Sequence, residues 1–432
     1  MKKKVLIITY YWPPSGGSGV QRWVYFSKYL NQMDFEPIIL TVDEKYASYP
    51  YLDDSLINEV KELKVYKTKS FEPLQIYSKI ASGDKSKAIP YGDVPTKNQG
   101  VFKKMAAFVR GNLVLPDARK YWKKYALPKA KEIIKEHKIE SIITTGPPHS
   151  THLIGLELKK TLGVKWLADF RDPWTEIFYN KDLYKTKLAA KKDLKMEVEV
   201  LTNADLLTAV SPNSKKLIDK KIDDQSKSYC FYNGFEHTIF DKVEKKPHEF
   251  DLLFSYVGYI GKHHQHEIIT HGLKELATQH PDKKIGFHLA GNVDEGLIET
   301  WRKIEGLEII FEGVVSHERA VEISSNSSIV IVNIPDSSYA IGNIPGKLLE
   351  CLATELPLLL IAKKESDAAA LIKDFENTIT IEKDIEAFIS FSRQVLNKEI
   401  LPDNKRPTIM KYSRQSIAQE INDLLINKFY SC

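Results

Sequence analysis

The chain has 432 residues, past the size at which one hydrophobic core keeps growing, so two domains of about 200 residues each are expected. Hydrophobic residues make up 43% and charged residues 28%, a globular composition that excludes a disordered or fibrous chain, and no apolar run approaches the ~20 residues that span a bilayer. Net charge is only +5, and the three cysteines, Cys230, Cys351 and Cys432, lie far apart without metal-ligand spacing, which excludes a disulfide framework and points to a reducing, cytoplasmic setting.

The opening MKKKVLIITYYWPP resembles a signal peptide in its charged start and apolar run. The run is short, Pro-Pro follows and no small-x-small cleavage site appears, so a first buried strand is predicted. The loop PPSGGSG then leads into a helix over about residues 20–32. Gly16, Gly17 and Gly19 let backbone N–H groups approach a ligand closely, the helix start favours an anion, and Arg22 lies in its first turns. A plain strand-to-helix turn is the alternative reading. The G-x-G-x-x-G fingerprint is missing, and no acidic residue is clearly placed to grip a ribose after the second strand, PIILTV, which disfavours a dehydrogenase.

Residues 43–99 are polar, Tyr-rich and weakly periodic, and read as an irregular insertion. The window 103–138 carries eleven Lys or Arg against three Asp or Glu, interleaved with Phe108, Leu113, Leu115, Tyr121, Trp122 and Tyr125. Such a patch suits an anionic membrane surface or a phosphorylated acceptor, with a solvated helix face as the alternative. No nucleic-acid motif accompanies it, so no nucleic-acid partner is expected. SIITTG then predicts a strand that delivers His149 to the carboxyl edge of a sheet, where a neutral imidazole could bond a sugar hydroxyl or accept a proton. His152, one turn on, reads as packing. KWLADF brings Asp169, Arg171 and Asp172 to the same edge, as an internal ion-pair cluster or as a grip for an acceptor hydroxyl.

Asn233-Gly234 is a strong turn, and the charged stretch after it reads as a linker with the domain boundary at 244/245. Strands and helices then alternate again, which predicts a second Rossmann-like half, and the α/β class for the whole. Its first loop, YVGYIGK, places Gly258, Gly261 and Lys262 as a second phosphate seat. His263, His264 and His266 have no Cys or carboxylate at zinc spacing, so no metal is expected. The segment NIPDSSYAIGNIPGKLLECLATELP ends a buried strand, loops through small residues and opens a helix near Gly346. Lys347 and Glu350, three apart, share the same side of that helix, as one cation and one carboxylate for a nucleotide sugar or as an exposed ion pair. The closing stretch sets Ile417, Ile421, Leu424, Leu425 and Phe429 on one stripe, which is expected to pack back on the protein.

PPSGGSGVQR, ADFRDPW, AVSPNSKK, NGFE, YVGYIGK and PGKLLECLATELP, in this order, give the chain a resemblance to the glycosyltransferase family 4 enzymes over nearly its whole length. It looks like the bacterial branch that builds cell-surface polysaccharide or lipopolysaccharide. The resemblance implies a GT-B fold: two Rossmann-like domains facing a cleft, residues 1–244 binding the acceptor and 245–410 the nucleotide sugar, with residues 411–432 crossing back to the first. It implies retaining, metal-independent transfer to a glycan or lipid-linked acceptor, without a cofactor, by a cytoplasmic enzyme peripheral to the membrane. By position, Glu350 matches the second glutamate of the family's E-x7-E motif and would bond the ribose. Gly258, Gly261, Lys262, Gly346 and Lys347 would surround the diphosphate, and His149 would reach the donor sugar. The motif's first glutamate falls at Gly342, where the backbone N–H groups of Gly342 and Asn343 would take its place, and the usual Arg of the second glycine loop is Tyr259.

Overall fold

The computed structural model describes residues 2–49, 52–72, 101–261, 264–337, 340–403 and 406–431. It divides into two compact units, one formed by Met1–Asn233 with Ile417–Cys432 and the other by Gly234–Ser416. The division falls upstream of residue 244 because the chain joins the second unit directly after the Asn233-Gly234 turn. There the Phe235 N–H donates to the Tyr412 carbonyl at 3.2 Å, and the Arg414 N–H donates to the Phe235 carbonyl at 2.9 Å.

The described residues of the first unit form a seven-stranded parallel sheet. Its strands are β1 (Lys3–Ile8), β2 (Phe35–Val42), β3 (Lys64–Thr68), β4 (Ser141–Gly146), β5 (Lys165–Phe170), β6 (Leu206–Ala209) and β7 (Ser228–Cys230), in the order β3-β2-β1-β4-β5-β6-β7. Successive side chains of a strand point to opposite faces, and both faces of β1 are buried: Leu6 and Ile8 enter one apolar cluster, Val5 and Ile7 the other. Ile417, Ile421, Leu425 and Phe429 join the second of these clusters, so the helix Arg414–Leu425 and the turn after it help to cover that face. Asn422 fixes its register by donating to Asp34 Oδ2 at 2.8 Å.

The second unit repeats the plan with β8 (Leu252–Val257), β9 (Ile285–Ala290), β10 (Leu307–Phe311), β11 (Ile329–Asn333), β12 (Leu358–Ile361) and β13 (Thr378–Ile381), in the order β10-β9-β8-β11-β12-β13. Each sheet changes its direction of growth once, between β1 and β4 and between β8 and β11. Loops leaving the carboxyl ends of such strand pairs diverge, which is where open α/β sheets receive ligands. Part of the stretch expected to be an irregular insertion is regular, with the helix Ser55–Glu59 and the edge strand β3. That strand is only half-buried, so it lacks the apolar alternation by which a strand is recognised. The rest of that stretch, residues 73–99, lies outside the described residues. No helix among the described residues is long and apolar enough to cross a membrane.

Candidate active site

At the carboxyl edge of the first sheet the predicted residues meet, but mostly to hold one another. Arg22 and Asp169 are fully buried and paired at 2.8 Å. Arg22 also donates to the carbonyls of Phe231 and Tyr232 at 2.9 and 2.7 Å. Asp169 accepts from Trp23 Nε1 at 2.6 Å, Thr145 Oγ1 at 2.8 Å and Thr208 Oγ1 at 2.7 Å. Burial alone would push the Asp169 carboxyl up, yet the Arg22 charge and these donors hold it below the ordinary value. Of the two readings open for this cluster, an internal ion pair describes Arg22 and Asp169, with no surface for an acceptor hydroxyl. Arg171 also works inward, donating to the carbonyls of Gly19, Gly146 and Pro147 and so tying together the loops after β1 and β4. Asp172 is half-buried and supports the Arg171 charge.

The glycine loop has a distinct reason for each glycine. A side chain on Gly16 would meet Asp53 at 2.8 Å, and one on Gly19 would meet the Arg171 guanidinium at 2.5 Å. Gly17 has open space around it but a φ of +98°, which only glycine adopts without strain. It starts the helix Ser18–Gln32, which has no side-chain cap and no acidic residue in its first turn. That combination leaves a helix N-terminus suited to an anion.

His149 sits in the turn after β4, buried, its ring stacked on Trp174 at 5.1 Å between centroids and 9° between planes. Among the described residues neither ring nitrogen has a partner at hydrogen-bonding geometry; the Pro173 carbonyl is near enough only to favour protonation weakly. Burial, then the neighbouring His152 and Arg171, hold His149 well below the ordinary histidine value, so it is a neutral imidazole at pH 7. The turn is fixed by Asp117, a residue sequence reasoning missed, which accepts from the Ser150 N–H and hydroxyl at 2.7 and 2.8 Å. Asp117 lies 33 residues before Ser150, with no local pattern to mark it. His149 lines a small cavity with Arg110, Asp117, Trp174, Asn180 and Lys185.

The edge of the second sheet is arranged differently. Lys347, in the first turn of the helix Gly346–Ala353, lies with its ammonium 3.9 Å from the centre of the Tyr256 ring and 3.3 Å from the Val257 carbonyl. A side chain on Gly258 would begin 3.5 Å from that ammonium, and Gly258 has a φ of +122°. Among the described residues Lys347 has no carboxylate partner, and burial pulls it down to about 8. The alternative reading of Lys347 and Glu350 as an ion pair does not hold. Glu350 instead accepts from His317 Nε2 at 2.9 Å. Burial favours the uncharged form of both partners, but their mutual attraction wins, lowering Glu350 and raising His317.

The helix Gly346–Ala353 also lacks a side-chain cap and a first-turn acid. Gly342 ends a short turn, Ala340–Gly342, with Asn343 directly after it. A side chain on Gly261 would meet the Tyr259 hydroxyl at 2.3 Å, the tip of a side chain that is 59% exposed and free to give way. Lys262 lies outside the described residues. Three further groups were not legible in the sequence. His317 is one. Gly291 is another, at a φ of +117°, where any side chain would strike the Gly258 carbonyl at 2.3 Å. The third is Asn333, which ends β11 with both amide atoms buried and without a partner among the described residues.

No protein-family model matches the chain, and no curated protein matches its sequence. Among solved structures, HepE of Anabaena in complex with UDP aligns at 12% identity, covering 99% of this chain and 100% of that one, with a TM-score of 0.63. The lipopolysaccharide outer core galactosyltransferase WaaB aligns at 15% identity over 99% and 100% of the two chains, with a TM-score of 0.60. A putative UDP-N-acetylglucosamine 2-epimerase from Listeria monocytogenes aligns at 11% identity over 99% and 97%, with a TM-score of 0.53. At such identities the likeness is one of architecture, and it agrees with the two strand orders described above. The chain has the GT-B fold of glycosyltransferases.

Proposed function

We propose that the protein is a retaining glycosyltransferase that moves a hexosyl or related sugar from a nucleoside-diphosphate sugar to a glycan or lipid-linked acceptor of the bacterial cell surface. The second unit holds the donor and the first the acceptor. The observation that carries this reading is Lys347, a half-buried ammonium without a carboxylate partner among the described residues, set beside the open backbone of Gly258. A cation kept partly from water without a counter-ion is unfavourable unless an anion arrives, and a diphosphate supplies one. HepE was crystallised with UDP and with UDP-glucose, which supports a nucleotide as the ligand of this fold.

In the reaction, the bond between the sugar's anomeric carbon and the diphosphate oxygen breaks, and the acceptor oxygen bonds the same carbon on the same face. The acceptor proton passes to the departing diphosphate. Lys347, Lys262 and the uncapped helix start at Gly346 neutralise the developing charge, and preorganised charge of this kind is the largest catalytic contribution in many enzymes. With that charge supplied by the protein, the reading needs neither a metal nor a cofactor. Neutral His149 bonds a sugar hydroxyl, and Glu350, steadied by His317, bonds the ribose. The enzyme works in the cytoplasm at the inner face of the membrane.

The test is calorimetry with UDP-, GDP- and dTDP-sugars. Glu350→Ala and Lys347→Met are each expected to abolish or sharply weaken binding, and unchanged affinity in both would refute the donor site. A second reading, a sugar-nucleotide-binding partner of low or no activity, is favoured by Gly342 and Tyr259, which replace a carboxylate and an arginine of the family pattern. Binding without hydrolysis or transfer to any lipid or glycan extract would select it. Conversion of the nucleotide sugar without an acceptor would select an epimerase.

A further inference from the structure

The helix Val101–Leu113 is amphipathic in the wrong sense for a surface helix. Its inward side is made of small residues: Ala107 is buried, and Gly111 is pressed so close to Leu183 that a side chain would meet the Leu183 carbonyl at 2.2 Å. Its outward side is apolar. Met105, Phe108, Val109 and Leu113 follow helical spacing and are 56%, 45%, 37% and 69% exposed. The helix Lys187–Asn203 extends this face, with Leu188 79% exposed in its first turn. Asn112 locks the two helices together, donating to the Tyr184 carbonyl at 3.1 Å and accepting from the Thr186 N–H at 2.8 Å. A contiguous exposed apolar face of this kind marks an interaction surface.

Its charge indicates the partner. Lys104, Lys187, Lys191, Lys192 and Lys195 are all exposed on the same two helices. The acids of the second helix do not neutralise them: Asp193 and Glu197 are buried and bound to Lys185 and Lys221, and Glu199 is bound to Lys160. Lys120 is held below the ordinary lysine value by burial and then by the nearby Lys192, with Asp117 offsetting this only in part, a sign that cations lie close together here. Two copies of this chain meeting through the face would bring these cations together, which opposes self-association.

We infer that the apolar stripe Met105, Phe108, Val109 and Leu113, with Leu188, inserts into the interfacial layer of an anionic bilayer while the surrounding lysines contact lipid phosphates. Apolar side chains ringed by lysine are the composition that lies in such an interface. The surface differs from the one suggested by the basic window 103–138. Of the apolar residues interleaved there, Leu115 and Trp122 belong to the interior, and the missing half is supplied by the helix Lys187–Asn203. The inference does not depend on the identity of the donor nucleotide.

The experiment is co-sedimentation of the full chain with phosphatidylcholine vesicles and with vesicles half phosphatidylglycerol, alongside nucleotide calorimetry and light scattering. The protein is expected to bind only the anionic vesicles, and less in about 1 M salt, where the Debye length is ~3 Å. Phe108→Glu with Leu113→Glu should reduce vesicle binding at least tenfold, and Lys191→Glu with Lys192→Glu roughly as much, at unchanged melting temperature and nucleotide affinity. Because all four side chains are exposed, folding is spared. No binding of the native chain to anionic vesicles, full binding by both double variants, or a dimer that the Phe108 and Leu113 changes dissolve would each overturn the proposal. Loss of nucleotide binding in the native protein would instead count against the transferase reading alone.

Discussion

The two sheet edges begin from the same topology and use charge in opposite ways. At the edge of the first sheet, Arg22, Asp169 and Arg171 satisfy one another and nearby carbonyls, and what is left over is a buried neutral imidazole and a glycine-started helix. At the edge of the second, Lys347 keeps a charge without a carboxylate partner among the described residues. Charge already paired inside a unit shapes loops; charge without such a partner beside an open backbone is available to an anion. The site most suited to an anion is therefore in the second unit, although the first contains the more conspicuous cluster of charged residues.

Asp169→Asn tests the first half of that contrast and is expected to have the largest effect. It leaves Arg22 buried without its counter-ion, so urea unfolding should show the first unit destabilised by roughly 3–5 kcal/mol. A change below about 1 kcal/mol would show that the pair is not structural. Lys347→Met tests the second half with the opposite pattern. Affinity for a nucleoside diphosphate should fall ten- to a hundredfold, roughly 1.5–3 kcal/mol, while stability holds or rises because a half-buried ammonium without a carboxylate partner among the described residues is removed.

The two units should also part company in acid. His149 and His152 are held low by burial, His152 at about 3, so their contribution is present above the ordinary histidine range and declines as pH falls below it. The expected loss is on the order of 1 kcal/mol per ring per pH unit. In the second unit, raised His317 contributes below the ordinary histidine value of 6.5 and loses this as pH rises through its folded value. Lowered Glu350 contributes above 4.5 and loses this as pH falls through its folded value. Their pair is therefore strongest between about pH 4.5 and 6.5. Hydrogen exchange at pH 7.5 and 5.5 should show protection falling around β4 and holding around the helix Gly346–Ala353, and His317→Ala should remove the second effect. Equal loss in both units would erase the distinction. The smallest change expected is Gly17→Ala, which meets no neighbour and should cost about 1 kcal/mol through its backbone angle alone. Gly291→Ala, which strikes the Gly258 carbonyl, should cost more and weaken nucleotide binding as well.

How much of this could be read from residues follows the range of each interaction. The buried strands β1, β4, β5, β8 and β11 are apolar runs between turn signals, and the helix at Gly346 is marked by its loop, so the fold class and the place of that helix were legible. The edge strand β3 was not, because a half-buried strand carries little apolar pattern. Residue types at the site were legible, but their partners were not. Arg22 and Asp169 lie 147 residues apart, Lys347 and Val257 lie 90 apart, and Glu350 and His317 lie 33 apart. Helical spacing made Lys347 and Glu350 look like a pair, and tertiary packing turned each to a different neighbour.

The chain leaves the first unit at Asn233 and returns to it only with Ile417. The second unit is thus an insertion within the first, and vectorial synthesis must deal with it in that order. While residues 234–416 emerge from the ribosome, the face of β1 carrying Val5 and Ile7 still lacks Ile421, Leu425 and Phe429, side chains that complete its apolar cluster. A nascent first unit is therefore an incomplete core held open until the helix Arg414–Leu425 is made, which ties the maturation of the first unit to prior synthesis of the second.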